Sequence, residues 1–330
     1  MLDNFKGQER VKNNIRVILE EGKIRGKIPH MGIFAQKGMG KTTLAQLIIK
    51  EIKAYEIYIN GTAIKDSAAL LKKIYEAKKQ DRHCIVFIDE AHALPKHIMD
   101  NFLSVLEEPS ILCYIIPKTQ NHWKIINGFK TQVKVEKGEI AEAYIPKNVS
   151  FILATTHKGS LSPEILSRLE CIDLDDYTKE TYFEILKDKT DIKFKDEIFF
   201  NIIDVSRNPR DAKSKLNQLI AYIKTFHIEA DFLTSEQFED FLNIKGIEKD
   251  GCNTNDIFYL KILASTNCLG LSSITSMMGI KIEEVQTIIE PWLLKLGYVS
   301  ITPKGRSLTP EGRKRIGYEV PFEDDGFDLK

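Results

Sequence analysis

Residues Ala35 to Thr42 read Ala-Gln-Lys-Gly-Met-Gly-Lys-Thr and lie between an apolar run and a helix-forming stretch. The pattern G-x-x-x-x-G-K-[ST] turns a strand sharply into a helix. Its small residues let several backbone N–H groups point into one concavity, which phosphate oxygens fill. Gly38, Met39, Gly40, Lys41, Thr42 and Thr43 therefore form a candidate nucleotide loop. Lys41 is placed to reach the outer phosphates of ATP as a point charge and Thr42 to offer its hydroxyl to Mg²⁺, while the helix that begins there adds its positive N-terminal end. Ala35 stands where the pattern opens with glycine. If that position needs a positive φ, the alanine costs about 1 kcal/mol or a little more.

A second motif fits the first. Cys84-Ile-Val-Phe-Ile-Asp-Glu90 is a continuous apolar run ending in two acids, the signature of a buried parallel strand that delivers carboxylates to its C-terminal edge. Open α/β sheets bind ligands at that edge. Asp89 is the candidate Mg²⁺ ligand, and Glu90 the general base that polarises an attacking water. The following Ala91-His92 completes the letters Asp-Glu-Ala-His, but nothing else supports the helicase family named for them, and His92 reads as a helix-start residue.

With 330 residues the chain has room for two or three domains. Its apolar runs are too short for a membrane span, and the start lacks the order of a secretory signal. Cys84, Cys113, Cys171, Cys252 and Cys268 are odd in number and scattered, which implies reduced thiols in cytoplasm and neither a disulfide framework nor a zinc site. Lysine plus arginine equals aspartate plus glutamate at 47 each, so affinity for nucleic acid has to come from local clustering.

From Asp3 to about Tyr177, apolar strands alternate with amphipathic helices, as a doubly wound parallel sheet requires. The expected strands are Gly32 to Ala35, Glu56 to Asn60, Ile85 to Asp89 and Val149 to Ala154. Between the last two lies a β-rich insert, Ser110 to Lys147, with Lys137-Gly138 as the expected hairpin turn. Helical periodicity takes over from Lys179 to about Ile247. Helices followed by a short wing are expected over Asp256 to Ile316, and the acidic, turn-rich end reads as a disordered tail. The resulting expectation is an α/β large domain over 1–177, a helical lid over 178–248, a winged helix over 249–316 and a tail over 317–330.

In these motifs the chain resembles the RuvB-type Holliday junction branch migration ATPases, a branch of the AAA+ superfamily. Phe5-Lys-Gly-Gln-Glu-Arg-Val-Lys12 is similar to the family signature beside the adenine pocket, which implicates Phe5 and Lys6. Ala154-Thr-Thr156 matches its sensor-one position, where Thr156 bonds the γ-phosphate or the attacking water. Ile165-Leu-Ser-Arg168 is similar to the stretch that supplies an arginine finger acting on ATP held by a neighbouring subunit. The guanidinium suits that task because it stays charged and forks toward phosphate oxygens. Arg207-Asn-Pro-Arg210 matches sensor two, with Pro209 and Arg210 at the start of a lid helix, and Tyr177 resembles the residue that packs near adenine.

The segment from Glu290 to Pro310 closely matches the family's winged helix. It places Lys304, Gly305 and Arg306 at a tight turn able to meet the sugar-phosphate backbone. Val133 to Tyr144 looks like the hairpin that docks the partner RuvA, although about twenty further residues precede it. The resemblance implies a ring, a hexamer, that binds ATP and Mg²⁺ and drives duplex arms of a four-way DNA junction in recombination and repair. Two alternatives stay open. Leu106-Glu-Glu-Pro109 and Phe151-Ile-Leu-Ala-Thr-Thr156 also resemble clamp-loader sequence, and Ala35 in place of the first loop glycine leaves room for a nucleotide-sensing DNA-binding regulator without turnover.

Overall fold

A computed structural model describes residues 1–107, 111–115, 120–126, 129–138, 140–266 and 268–317. The expected tail from residue 318 onward, and Glu108 and Pro109 of the loader-like motif, lie outside the described residues. Among the described residues, eleven strands follow in chain order: β1 Met31–Phe34, β2 Tyr55–Asn60, β3 Cys84–Asp89, β4 Ile111–Ile115, β5 Gln120–Ile126, β6 Phe129–Val135, β7 Ile140–Tyr144, β8 Val149–Thr155, β9 Glu170–Asp173, β10 Val299–Thr302 and β11 Gly305–Leu308. The chain forms two compact units. One comprises Met1–Ile185 with Asn208–Arg210, the other Leu186–Arg207 with the chain from Asp211 onward.

The first unit is built on a five-stranded parallel sheet in the order β2-β3-β8-β1-β9. Residues alternate across it with a period of two, which is why both faces can be apolar. On β3, Ile85 and Phe87 face the layer formed by helices Glu9–Arg25 and Lys41–Glu51. Val86 and Ile88 face the opposite layer, where helices Ser67–Ile74 and Lys96–Leu106 supply Leu70, Ile74, Ile98 and Phe102. Neighbouring strand ends coincide: Phe34 pairs with Thr155, and Asn60 with Asp89. The register thus brings the carboxyl ends of β1, β3 and β8, and the loops that leave them, to one edge. The four strands expected from sequence are present, and β9 joins the sheet as a fifth edge strand that sequence reading did not separate from the loop after Arg168.

The insert differs from the expected arm over Val133 to Tyr144. β6 does not pair with β7. Instead β5 pairs antiparallel with β6 from Gln120↔Val135 to Ile126↔Phe129, and β4 pairs with β7. Lys137-Gly138 only joins one pair to the other. The residues taken as an addition preceding the arm are therefore its own strands.

The second unit is helical up to Ile244 and ends in a three-helix body with a two-stranded wing. β10 and β11 pair antiparallel with Thr302 opposite Gly305. A core of Tyr259, Leu260, Leu263, Ile274, Val285, Trp292 and Leu293 lies beneath them.

Candidate nucleotide site and wing surface

Because β1 ends at Phe34 and the next helix starts at Lys41, the loop between them turns in six residues. Gly38 at φ +85° and Gly40 at φ +97° make that possible without a Cβ penalty. Ala35 is not among the residues with positive φ, so it carries none of the strain its position in the motif suggested. A Cβ on Gly40 would stand 3.1 Å from the Phe5 ring and 3.5 Å from the Tyr177 hydroxyl. Phe5 and Tyr177 thus close on the loop from the two ends of the unit's sequence. The Tyr177 hydroxyl donates to the Met39 carbonyl at 3.0 Å. Burial, first, and Tyr182, second, push its pKa above the ordinary tyrosine range, so it remains a donor. Gln8 exchanges bonds with the Asp175 backbone, its Oε1 accepting from the Asp175 N–H at 3.0 Å, which ties the Phe5 and Tyr177 segments together. Lys6 lies half-buried next to Phe5.

Lys41 is buried, and its ammonium donates to the carbonyls of Ala35 at 2.9 Å and Gln36 at 3.2 Å. Burial lowers its pKa; Glu90 and Asp89 pull it back up, while Arg210 and Lys37 oppose them. Among the described residues this ammonium makes no direct ion pair, and a phosphate would supply one. The Thr42 hydroxyl donates to Asp89 Oδ2 at 2.8 Å, and Asp89 Oδ1 accepts from the Glu90 N–H at 3.0 Å. Two hard oxygens at hydrogen-bond distance suit Mg²⁺, which takes few protein ligands and completes its shell with phosphate and water. Thr43 is exposed on the first helical turn. Glu90 itself has φ +51°, a left-handed conformation costly for a side-chain-bearing residue, and its carboxylate is partly exposed at the sheet edge.

The neighbouring strand contributes more than the sequence suggested. Thr155 is fully buried; its hydroxyl accepts from the His157 N–H at 3.0 Å and bonds His92 Nδ1 at 2.9 Å. His92 Nδ1 also lies 3.5 Å from Glu90 Oε2, and the His92 and His157 rings meet edge to face at 4.5 Å. Thr156 bonds His157 Nδ1 at 2.9 Å. His92, read from sequence as a helix-start residue, is therefore part of the acid's surroundings.

Arg210 lies exposed at the start of the helix Pro209–Thr225, its Cβ and the Asn208 amide close against Gly38. Pro209 is buried at that helix's first position, where its missing N–H is not needed. Arg168 is different. Its Nε donates to Glu107 Oε1 at 3.0 Å and Nη1 to the Glu164 carbonyl at 2.8 Å, and it makes no bond to the phosphate loop of its own subunit. The sequence singles out Arg168 but not its carboxylate partner.

At the wing, only one of the three expected DNA-facing residues projects. Lys304 is exposed, whereas Gly305 is buried at φ +140°, and a Cβ there would stand 2.5 Å from the Leu269 carbonyl. Arg306 turns inward, its Nε donating at 2.8 Å to Glu290 Oε1, which also accepts from the Tyr259 hydroxyl at 2.9 Å. Arg306 sits opposite Ile301, which is exposed, so the arginine shares a strand pair with the surface while its long side chain folds under to a buried carboxylate.

The parallel sheet, the glycine-turned phosphate loop and the Asp89-Glu90 edge, with a separate winged helix, define a AAA ATPase with a nucleic-acid-binding type of appendage. Residues 31–174 match the family described as ATPase family associated with various cellular activities (AAA), and residues 249–317 match the RuvB C-terminal winged helix domain. The chain thus combines an AAA domain with a winged helix of the RuvB type. It is similar to the Holliday junction branch migration complex subunit RuvB of Thermotoga maritima, at 28% identity over 97% of this chain and 92% of that protein. The subunit of the same description from Phytoplasma mali is 27% identical over 94% and 89%. Among solved structures, the Thermotoga maritima RuvB Holliday junction branch migration motor superposes with a TM-score of 0.77 at 25% identity, covering 97% of this chain and 98% of that one. The winged-helix match separates the chain from the loader-like alternative. Among the described residues, no helix is long and apolar enough to cross a membrane.

Proposed function

We propose that the chain is an ATP-driven DNA motor that assembles as a ring, a hexamer by analogy with its resemblance, and drives branch migration of Holliday junctions in recombination and repair. The observation that carries this reading is the joint placement of Lys41, Thr42, Asp89 and Glu90 at one sheet edge in a chain that also holds the RuvB winged helix. ATP lies along the loop with its base near Phe5, Lys6 and Tyr177. Backbone groups of Gly38 to Thr43 and the Lys41 ammonium hold the phosphates, and Thr42 and Asp89 are the residues that would hold Mg²⁺, whose charge offsets that of the phosphates. Glu90 takes the proton of the attacking water, and Thr156 orients it. Arg210 responds to the γ-phosphate in cis.

Arg168 serves the neighbouring subunit. Its partner in the isolated chain is Glu107, an exposed pair worth at most about 1 kcal/mol, which the charge of a triphosphate readily displaces. Lys304 contacts the DNA backbone without reading bases, which suits movement along any sequence. The four-stranded insert is the candidate docking surface for a RuvA-like partner.

The trans arrangement has a direct test. Lys41→Ala and Arg168→Ala subunits, each inactive alone, should recover ATP hydrolysis when mixed, because some interfaces then combine an intact loop with an intact finger. Mixtures that never exceed the separate variants would remove the trans role. Junction migration measured with and without a RuvA-like protein tests the motor assignment itself.

A further inference from the structure

The chain leaves the second unit at Arg207, gives the three residues Asn208–Arg210 to the first, and rejoins the second at Asp211. Both flanks of this short segment are fastened within the second unit. The Arg207 N–H donates to Asp211 Oδ2 at 2.9 Å, and the same oxygen accepts from Lys215 Nζ at 2.5 Å. The Arg207 guanidinium pairs with the Asp256 carboxylate and donates through Nη1 to the Ile288 carbonyl at 2.9 Å. Asp256 is fully buried, Oδ2 also accepts from the Asn253 N–H at 2.7 Å, and Oδ1 has no partner.

A buried ion pair is a poor choice for stability alone, because apolar side chains of similar volume often serve as well. Its distinguishing property is direction: a planar guanidinium fixes the orientation of whatever carries it. Asp256 stands in the first turn of helix Thr254–Ala264, which packs on β11. Three residues on, Tyr259 donates to Glu290, and Glu290 in turn receives Arg306 of the wing. Helix Thr254–Ala264 therefore carries the Arg207 contact at Asp256 and, three residues on, the Tyr259–Glu290–Arg306 contacts that reach the wing strand.

We propose that Arg207 and Asp256 form a positioning link through which the Asn208-Pro209-Arg210 segment and the winged helix move together, so that the wing follows the nucleotide state. The link rests on the reading of Arg210 as the residue that meets the γ-phosphate. Neither Arg207 nor Asp256 touches nucleotide or DNA in this scheme.

The test is hydrogen exchange of the full chain, followed over residues 254–264 and 299–308, with and without a slowly hydrolysed ATP analogue and Mg²⁺. In the wild type the analogue should change exchange over both segments by about tenfold, the scale of an ordinary coupling between sites. Arg207→Gln should still bind the analogue within about twofold yet lose that response. Arg207→Lys, which keeps the charge but not the fork, should recover part of it. Should Arg207→Gln fail to fold with Asp256 left unpaired, Asp256→Asn, neutral and of the same shape, carries the same expectation. A response of wild-type size in these variants overturns the link alone. Exchange that is raised throughout the second unit before any nucleotide is added assigns the pair a structural role only, and also overturns it. A wild-type chain that binds no analogue removes the reading of Arg210 and the link together.

Discussion

Replacing Tyr177 by phenylalanine removes the hydroxyl that lies beside Gly40 and leaves the ring. The hydroxyl donates at 3.0 Å to the Met39 carbonyl, in the middle of the phosphate loop. A hydrogen bond of this kind contributes about 1 kcal/mol net, and a buried carbonyl left without a donor raises the cost to about 3 kcal/mol. The loop is only partly enclosed, with Gly38 and Gly40 half-buried, so water can replace part of the loss and the lower half of that range applies. Nucleotide affinity should weaken by about fivefold to tenfold, the equivalent of about 1 to 1.4 kcal/mol. Calorimetric titration of a slowly hydrolysed analogue into wild type and Tyr177→Phe measures this directly. Since burial raises the hydroxyl pKa above the ordinary tyrosine value, the folded state disfavours the phenolate, and the donor persists at least up to that ordinary value. The ratio of the two affinities should therefore stay constant from about pH 6 to 9. Equal affinity and equal melting temperature for the two proteins would refute the bracing role, and a ratio that collapses toward one below pH 9 would refute the assignment of the donor.

Ala35→Gly should leave ATP hydrolysis and melting temperature nearly unchanged, because Ala35 has no positive φ for a glycine to relieve; a clear gain in turnover contradicts the observed loop. Lys41 has a pKa lowered by burial, and phosphate would raise it again, so nucleotide binding should take up protons in the alkaline range and affinity should fall as pH rises there. Titrations at one alkaline pH in two buffers of different ionisation enthalpy detect the uptake, and identical heats exclude it. At the wing, Lys304→Gln should weaken DNA binding and reduce the salt slope by about 1. Arg306→Gln should instead destabilise the winged helix by about 3 kcal/mol, since it leaves the buried Glu290 carboxylate without its counter-charge. Salt-dependent DNA titrations beside thermal melts of both variants separate the two roles, and a normal melt for Arg306→Gln would put that arginine back at the surface.

Where function depends on backbone turns and buried strands, the sequence was highly informative. The phosphate loop, the four main strands and the Asp89-Glu90 edge follow from glycine placement and continuous apolar runs, which report local conformation and two-sided burial. The insert shows the limit of a local turn signal. Lys137-Gly138 reads as a hairpin turn, but pairing of β5 with β6 and of β4 with β7 makes it the junction between two pairs. β9 escaped notice because Glu170, Cys171, Ile172 and Asp173 lack apolar alternation; as an edge strand it is fixed by pairing with β1 and needs only Ile172 in the core.

Side-chain direction was the least legible property, because it depends on partners far away in the chain. Arg306 has the sequence context of a projecting wing residue, yet a carboxylate 16 positions earlier draws it inward. His92 follows an acidic pair as an ordinary helix-start residue would. It becomes part of the site only because β8 runs beside β3 and ends with a buried hydroxyl at Thr155, 63 positions later. That hydroxyl also accepts the His157 N–H, and His92 Nδ1 lies 3.5 Å from Glu90 Oε2, so the strand pairing sets the imidazole between a buried hydroxyl and the acid. No pattern within the sequence around His92 encodes that outcome; the parallel register of two strands does.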